Sequence, residues 1–316
     1  MDLEWNQCPY GKKKEDPDLP FEVIEIGAVK LDDSFREVGT FHETIRPVRY
    51  KKLHYMTRSV IHMTEQDFEG KRVFPQVFAD FLTWCGSDCM MCTWGPGDLT
   101  EFQRNVRWHM NRGNLQGKWP FPFPLFYRDV QKIFSYVHED GKARRSLEWA
   151  VEYLGLPKDE AFHDAFSDAR YTAGILKLLP PSAVKKYSSV DTYVTPKKRS
   201  EEILIRYSSY TKFISKSFPD RDEVMKDREV RATLCNVCGR KIPRKIHWFS
   251  DNGRNYLCAA YCPEHGLIKG KARVRQNADG EWFVIKTTRQ ITDEEFEKVK
   301  ERRETLRARR KLHRSS

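Results

Sequence analysis

The run FEVIEIGAVKLD, from Phe21 to Asp32, constrains the fold more than any other segment. Its apolar and polar residues alternate, so an extended chain gathers the apolar ones on one covered face, whereas a helix would scatter them. VGTFHETI, Val38 to Ile45, reads as its antiparallel neighbour, with LDDSFRE between them as the turn. DLEWN near the start adds a third strand, giving a meander. The period then changes. PQVFADFLTWC reads as an amphipathic helix opened by Pro75. CMMCTW is a short buried strand that delivers Asp98 at its end, Leu99 to Met110 a helix, LFYRDV a fifth strand, and SLEWAVEYLGL a helix closed near Gly155. A last helix, from about Asp164 to Leu179, stops before Pro180 and Pro181. Three meander strands followed by strands alternating with helices imply an α/β class: a mixed five-stranded sheet flanked by helices.

Acidic residues fall at telling places in that pattern. Asp2 and Glu4 sit two apart in a strand, so both project from one face while Leu3 points the other way. Asp98 follows TWGPG, and His163 and Asp168 lie in HDAFSDARYTAGIL. Carboxylate oxygens suit hard cations such as Mg²⁺ and Mn²⁺. Four carboxylates and one imidazole are what two-metal phosphodiester hydrolysis needs.

In this order, over roughly residues 2 to 178, the sequence resembles the DEDDh family of 3′-to-5′ exonucleases, with an RNase H-like fold. Among them it is similar to stand-alone bacterial exonuclease-domain proteins of the KapD type. The H-x-x-x-x-D ending separates this branch from the one that uses tyrosine. The resemblance implies two Mg²⁺ or Mn²⁺ ions, with Asp2 touching both, Glu4 and Asp168 completing their shells, and Asp98 acting largely through water. His163 is then the general base. Asp164 competes with Asp168 as a ligand, although directly after the histidine it is well placed to cap the helix. The expected reaction releases nucleoside 5′-monophosphates from the 3′ ends of single-stranded RNA or DNA. The alternative is a catalytically impaired nucleic-acid-binding protein that keeps the nuclease fold. One feature departs from the family: no apolar residues precede Asp2 in its strand, so the expectation is a native start further upstream or an impaired version.

The remainder divides into a connecting region (181–233), a zinc-binding unit (234–290) and a basic terminal helix (291–316), after an exonuclease domain over 1–180. Within the connector, ILIRYSSYTKFISKSF reads as a helix followed by a strand. Of the eight cysteines, Cys235, Cys238, Cys258 and Cys262 cluster in the zinc-binding unit. CNVCG and CPEHG look like paired zinc knuckles, each followed by a glycine. Cys235, Cys238, Cys262 and His265 give a closed Cys₃His site for one structural Zn²⁺, with Cys258 as the reserve ligand. Cys85, Cys89 and Cys92 read instead as buried apolar cysteines, because positions three apart on a strand face opposite ways. Trp94, Trp108, Trp119 and WPFPFPLF are core or loop packing more often than a base-stacking platform.

A formal charge of +11 points to a polyanionic partner, since basic surface gains affinity by releasing counterions from phosphates. KIPRKIHWF, KGKARVR and EWFVIK interleave basic and aromatic residues, and nine Lys or Arg between Lys298 and Arg314 face only Glu301 and Glu304. Thr292 and Glu295 form a capping box at the start of that helix. No apolar run spans a bilayer and no export signal opens the chain, so a cytoplasmic protein without a membrane partner is expected. Oligomeric state has no signature here.

Overall fold

The computed structural model describes residues 1–61 and 63–315. It divides the chain into two compact units, Met1–Asp191 and Thr192–Ser316.

In the first unit, β1 (Asp2–Gln7), β2 (Phe21–Leu31) and β3 (Glu37–Thr44) form the antiparallel meander. Asp2 pairs with Gly27 and Gln7 with Phe21, and Ala28 pairs with Phe41 on the other side. The expectation of one covered face on β2 is corrected: its residues Glu22 to Ala28 are buried on both faces. Being the middle strand, β2 is covered by α6 beside Gly27 and by α2 and α3 beside Ile26 and Ala28, and Glu22 and Glu25 are buried within it. Glu22 is satisfied there by the backbone N–H groups of Val48, Arg49 and Tyr50.

The helices of this unit are α1 (Tyr55–Val60), α2 (Phe74–Cys85), α3 (Gly97–Asn111), α4 (Val130–His138), α5 (Leu147–Tyr153), α6 (Ala165–Leu178) and α7 (Pro181–Lys186). On α2, Phe74, Val77, Phe78, Phe81 and Cys85 form one buried stripe at helical spacing. It packs with Phe102 and Val106 of α3 on Leu3, Val23 and Ile26. A second cluster joins Val130 and Ile133 of α4, Ala150 and Val151 of α5, and Ile175 of α6.

Parallel β4 (Cys92–Thr93) and β5 (Phe126–Asp129) make a further ladder, to which β6 (Ser189–Val190) adds an antiparallel edge. The mixed α/β architecture is therefore present, with six strands in two three-stranded ladders. The sixth strand comes from the segment expected to be a connector. The strand expected over CMMCTW shortens to two residues, and Asp98 lies in the first turn of α3 rather than on a strand.

The second unit is larger than a zinc module. It is a six-stranded antiparallel sheet in the order β7-β8-β12-β11-β10-β9, built from β7 (Ile203–Arg206), β8 (Tyr210–Ile214), β9 (Arg244–Ser250), β10 (Asn255–Cys262), β11 (Gly266–Gln276) and β12 (Trp282–Gln290). Two single-turn helices, α8 (Arg221–Val224) and α9 (Arg228–Arg231), and the long α10 (Asp293–Ser315) complete it. The helix expected within ILIRYSSYTKFISKSF is instead the hairpin β7–β8. Its β-branched and aromatic residues gain more from pairing with β12 than from an isolated helix. At the start of α10 the Thr292 hydroxyl accepts from Glu295 N–H, and the Glu295 carboxylate accepts from Thr292 N–H, as the capping box requires. Among the described residues no helix is long and apolar enough to cross a membrane.

Candidate active site

The carboxylates meet because three elements approach where β1, α3 and α6 begin. On β1, Leu3 is buried in the core against α2 and α3, so Asp2 and Glu4 turn the opposite way. Asp98 opens α3 beside the backbone of Leu3 on β1, which partly offsets the effect of burial on its carboxylate. Asp168 sits in the first turn of α6. That helix can lie this close to β2 because position 27 is glycine: a Cβ there would stand 2.1 Å from the carbonyl oxygen of Ala165.

Asp164 caps α6, its side chain accepting from Ser167 N–H at 2.8 Å. The Asp164 carboxylate also lies within 4.8 Å of ligand atoms of Glu25 and His42. Asp168 Oδ2 accepts the backbone N–H of His163 at 3.3 Å, while Oδ1 is buried with no protein partner. His163 holds a left-handed backbone, φ 66°, unusual for a residue with a Cβ. That bend brings its ring within ligand distance of Glu4 and Asp168 while leaving the residue exposed.

Burial is the first cause of the site's electrostatics, and mutual repulsion the second. Together they push Asp2 well above the ordinary carboxylate range and Glu4 to about 8. Asp98 is raised to about 7 and Asp168 to about 6, both chiefly by burial. Carboxylates packed this way cannot all ionise unless positive charge joins them. The acidic donor set and the orphaned Asp168 Oδ1 thus fit hard divalent cations.

Beside this cluster lies a pair that sequence reasoning missed. Glu25, opposite Glu4 in the β1–β2 register, contacts His42 Nε2 at 2.6 Å through Oε1 and accepts Ala165 N–H through Oε2. His42 in turn stacks on Phe166, with ring centroids 5.1 Å apart. Glu25 therefore ties the start of α6 to the central strand. Two acids inside the buried part of β2, Glu22 and Glu25, were the available signal.

In the second unit the thiolates and imidazole of Cys235, Cys238, Cys262 and His265 converge. Cys238 Sγ and Cys262 Sγ are 3.8 Å apart, and Cys262 Sγ lies 3.5 Å from His265 Nδ1. Tetrahedral ligands on zinc, with Zn–S of ~2.3 Å and Zn–N of ~2.0 Å, stand ~3.8 Å and ~3.5 Å from one another, so the spacing fits that ion. Cys258, the reserve ligand, is not brought to this cluster. Its thiol packs under Gly270 and meets the Thr233 hydroxyl at 3.6 Å.

Of the cysteines expected to be buried, one departs. Cys85 is buried and Cys92 half-buried, but Cys89 is exposed, because the short β4 leaves it outside the strand. Hydrogen bonding to Cys85 lowers the Cys89 thiol to about 6. The tryptophans serve packing: buried Trp108 donates to Asp16 at 3.0 Å, and Trp94 donates to the Arg145 carbonyl.

Comparison with known proteins adds to the geometry. The profile of the Exonuclease family, RNase_T, matches residues 15–176. That span contains Asp98, His163 and Asp168, while Asp2 and Glu4 lie upstream of it on a strand paired with β2. Human 3′-5′ exoribonuclease 1 is 23% identical over 167 residues, which is 50% of this chain and 46% of that protein. The chain thus spans about half the length of the curated relative it matches. Among solved structures, the nuclease domain of 3′hExo, described as a DEDDh family member bound to rAMP, gives a TM-score of 0.48 at 22% identity, covering 60% of this chain and 93% of that one. Cell-death related nuclease 4 gives 0.47 at 20% identity, covering 66% and 67%.

Proposed function

The chain belongs to the RNase_T exonuclease family, and from that premise we propose that it is a DEDDh 3′-to-5′ exonuclease releasing nucleoside 5′-monophosphates from single-stranded RNA or DNA. The observation that carries this reading is the meeting of Glu4, His163 and Asp168 within ligand distance around an unpartnered Asp168 Oδ1, with Asp2 and Asp98 interacting electrostatically with them.

Asp2, Glu4, Asp98 and Asp168 would hold two Mg²⁺ or Mn²⁺ ions. Bound there, such ions stabilise charge on the attacking and leaving oxygens of the phosphodiester. The rest is the work of the chain. The His163 imidazole takes the proton of the attacking water, and its exposure lets the ring reach that water while its backbone steadies Asp168. Water adds to the terminal phosphorus, the bond to the penultimate O3′ breaks, and the departing oxygen is protonated from solvent. Glu25 and His42 hold the first turn of α6 so that Asp168 keeps its place. In the second unit Cys235, Cys238, Cys262 and His265 would hold one structural Zn²⁺.

The test is Asp168→Asn, assayed with matched single-stranded RNA, single-stranded DNA and duplex. Divalent-metal-dependent release of 5′-monophosphates is expected to vanish while the melting curve stays near that of the parent. Undiminished hydrolysis would overturn the assignment. A parent chain that binds nucleic acid but releases no monophosphate would support the impaired-nuclease alternative.

A further inference from the structure

The second unit carries all of the chain's excess positive charge. Residues 192–316 contain 30 Lys and Arg against 17 Asp and Glu, a net +13, whereas residues 1–191 contain 26 against 28, a net −2. The unit without proposed catalytic acids is therefore the one suited to a polyanion.

Within it the charge is organised. Phe296 and Val299 turn one face of α10 onto Ile246 and Phe249 of β9 and Ala259 of β10, and Val299 is only 2% exposed. Positions 303, 307 and 310 continue the same stripe at helical spacing. A helix face turned toward the protein is ordinarily apolar, yet here only Leu306 stays apolar among Arg303, Arg307 and Arg310. Arg303, Arg307 and Arg310 look across to His247–Ser250 of β9 over a cavity of about 320 Å³. Among the described residues, no carboxylate pairs with Arg303 or Arg307. Nearer the start of α10 the cations are matched, Lys298 with Glu294, Lys300 with Glu297 and Arg302 with Asp251, while Arg310 donates to the Ser250 carbonyl at 3.4 Å. The opposite wall, β9, is an edge strand of the sheet.

We propose that this groove between β9 and the second half of α10 binds the sugar-phosphate backbone of single-stranded nucleic acid. The inference rests on the exonuclease reading and deepens it by assigning the grip on substrate to a site that does no chemistry. Guanidinium forks match the paired oxygens of a phosphodiester and read no base, as a grip on substrate of any sequence requires. The cavity is at the small end of the ~300–1,000 Å³ typical of ligand sites, enough for a backbone segment rather than a stacked run of bases.

The experiment uses the full chain carrying Asp168→Asn, so that substrate survives, and a labelled twenty-nucleotide oligothymidylate or oligouridylate. Binding is read by fluorescence anisotropy across a salt series. Arg303→Gln/Arg307→Gln is expected to weaken binding about tenfold and to lower the slope of log K against log salt by about 1.4, since each single-strand phosphate contact contributes ~0.7. Lys298→Gln/Arg309→Gln, which removes the same charge from another face of α10, is expected to change affinity less than about threefold, because exposed charges are screened. Equal losses in the two double variants would overturn the site. Displacement of the oligonucleotide by polyglutamate as readily as by unlabelled oligonucleotide would do the same. If the groove variant melts early, Arg307→Gln alone is read instead, and an unchanged slope rejects the proposal. Since binding is measured without hydrolysis, an inactive parent with arginine-dependent binding fails only the exonuclease reading, and an active parent with indifferent arginines fails only the groove.

Discussion

Gly27 shows how one missing methyl group shapes the site. A Cβ there would lie 2.1 Å from Ala165 O and 2.3 Å from Phe166 N, both backbone atoms that no side-chain rotation can clear. Gly27→Ala is expected to lift the start of α6 from β2, lowering stability by about 3 kcal/mol in urea melts, the upper range for overpacking. Turnover should fall further than the folded fraction does, because Asp168 moves with the helix. Neighbouring acids on α6 are expected to separate cleanly. Asp164→Ala should cost about 1 kcal/mol through the lost N-cap while divalent-ion affinity persists; calorimetric titration with Mn²⁺ checks the second half. His163→Ala should leave Mn²⁺ binding measurable and reduce turnover by roughly two to four orders of magnitude, the usual range for a general base. A loss of ion binding as severe as that in Asp168→Asn would contradict the division of roles.

At the scale of elements, the knuckles and the strand behind them make opposite predictions for two cysteines. Elemental analysis of the parent chain should find one zinc; Cys238→Ala should abolish it, whereas Cys258→Ala should retain it, because that thiol packs beneath Gly270 away from the cluster. Features governed by neighbours in the chain were legible in advance: the meander, the α2 stripe, the Asp164 cap, the Thr292 capping box and the two-residue knuckle spacing. Features that depend on distant partners were not. Glu25 and His42 are seventeen residues apart and gain meaning only from the β2–β3 register. The alternation in KIPRKIHWF, KGKARVR and EWFVIK was read as basic surface with aromatics, yet the same alternation belongs to strands β9, β11 and β12, whose inward residues include Ile246, Ala272 and Val284. Lysine and arginine on the outer face masked the period. Lys286 is the extreme case: its ammonium is buried on β12 and donates to the carbonyls of Glu229, Val230 and Ala232, a role no local pattern announces.

For the whole molecule, the division of charge predicts a division of kinetic effects. Raising salt from 50 to 200 mM should increase KM about tenfold, as expected from two to three phosphate contacts, while kcat on saturating substrate stays nearly level. A fall in kcat of the same size would place the salt-sensitive contacts at the acids instead. The strand order of the second unit also bears on how the chain is made. β8 ends at Ile214, but the strand it pairs with on its open side is β12, where Ile285 meets Ile214 and Arg289 meets Tyr210. With ~70 residues between them, and synthesis at ~5–20 residues per second, the nascent hairpin waits several seconds for its neighbour. Until then it presents a bare edge, the kind that recruits the wrong strand. A ribosome that stops before Trp282 therefore leaves a sticky fragment, whereas one that stops after Gln290 leaves all six strands able to pair, lacking only the arginine-bearing helix.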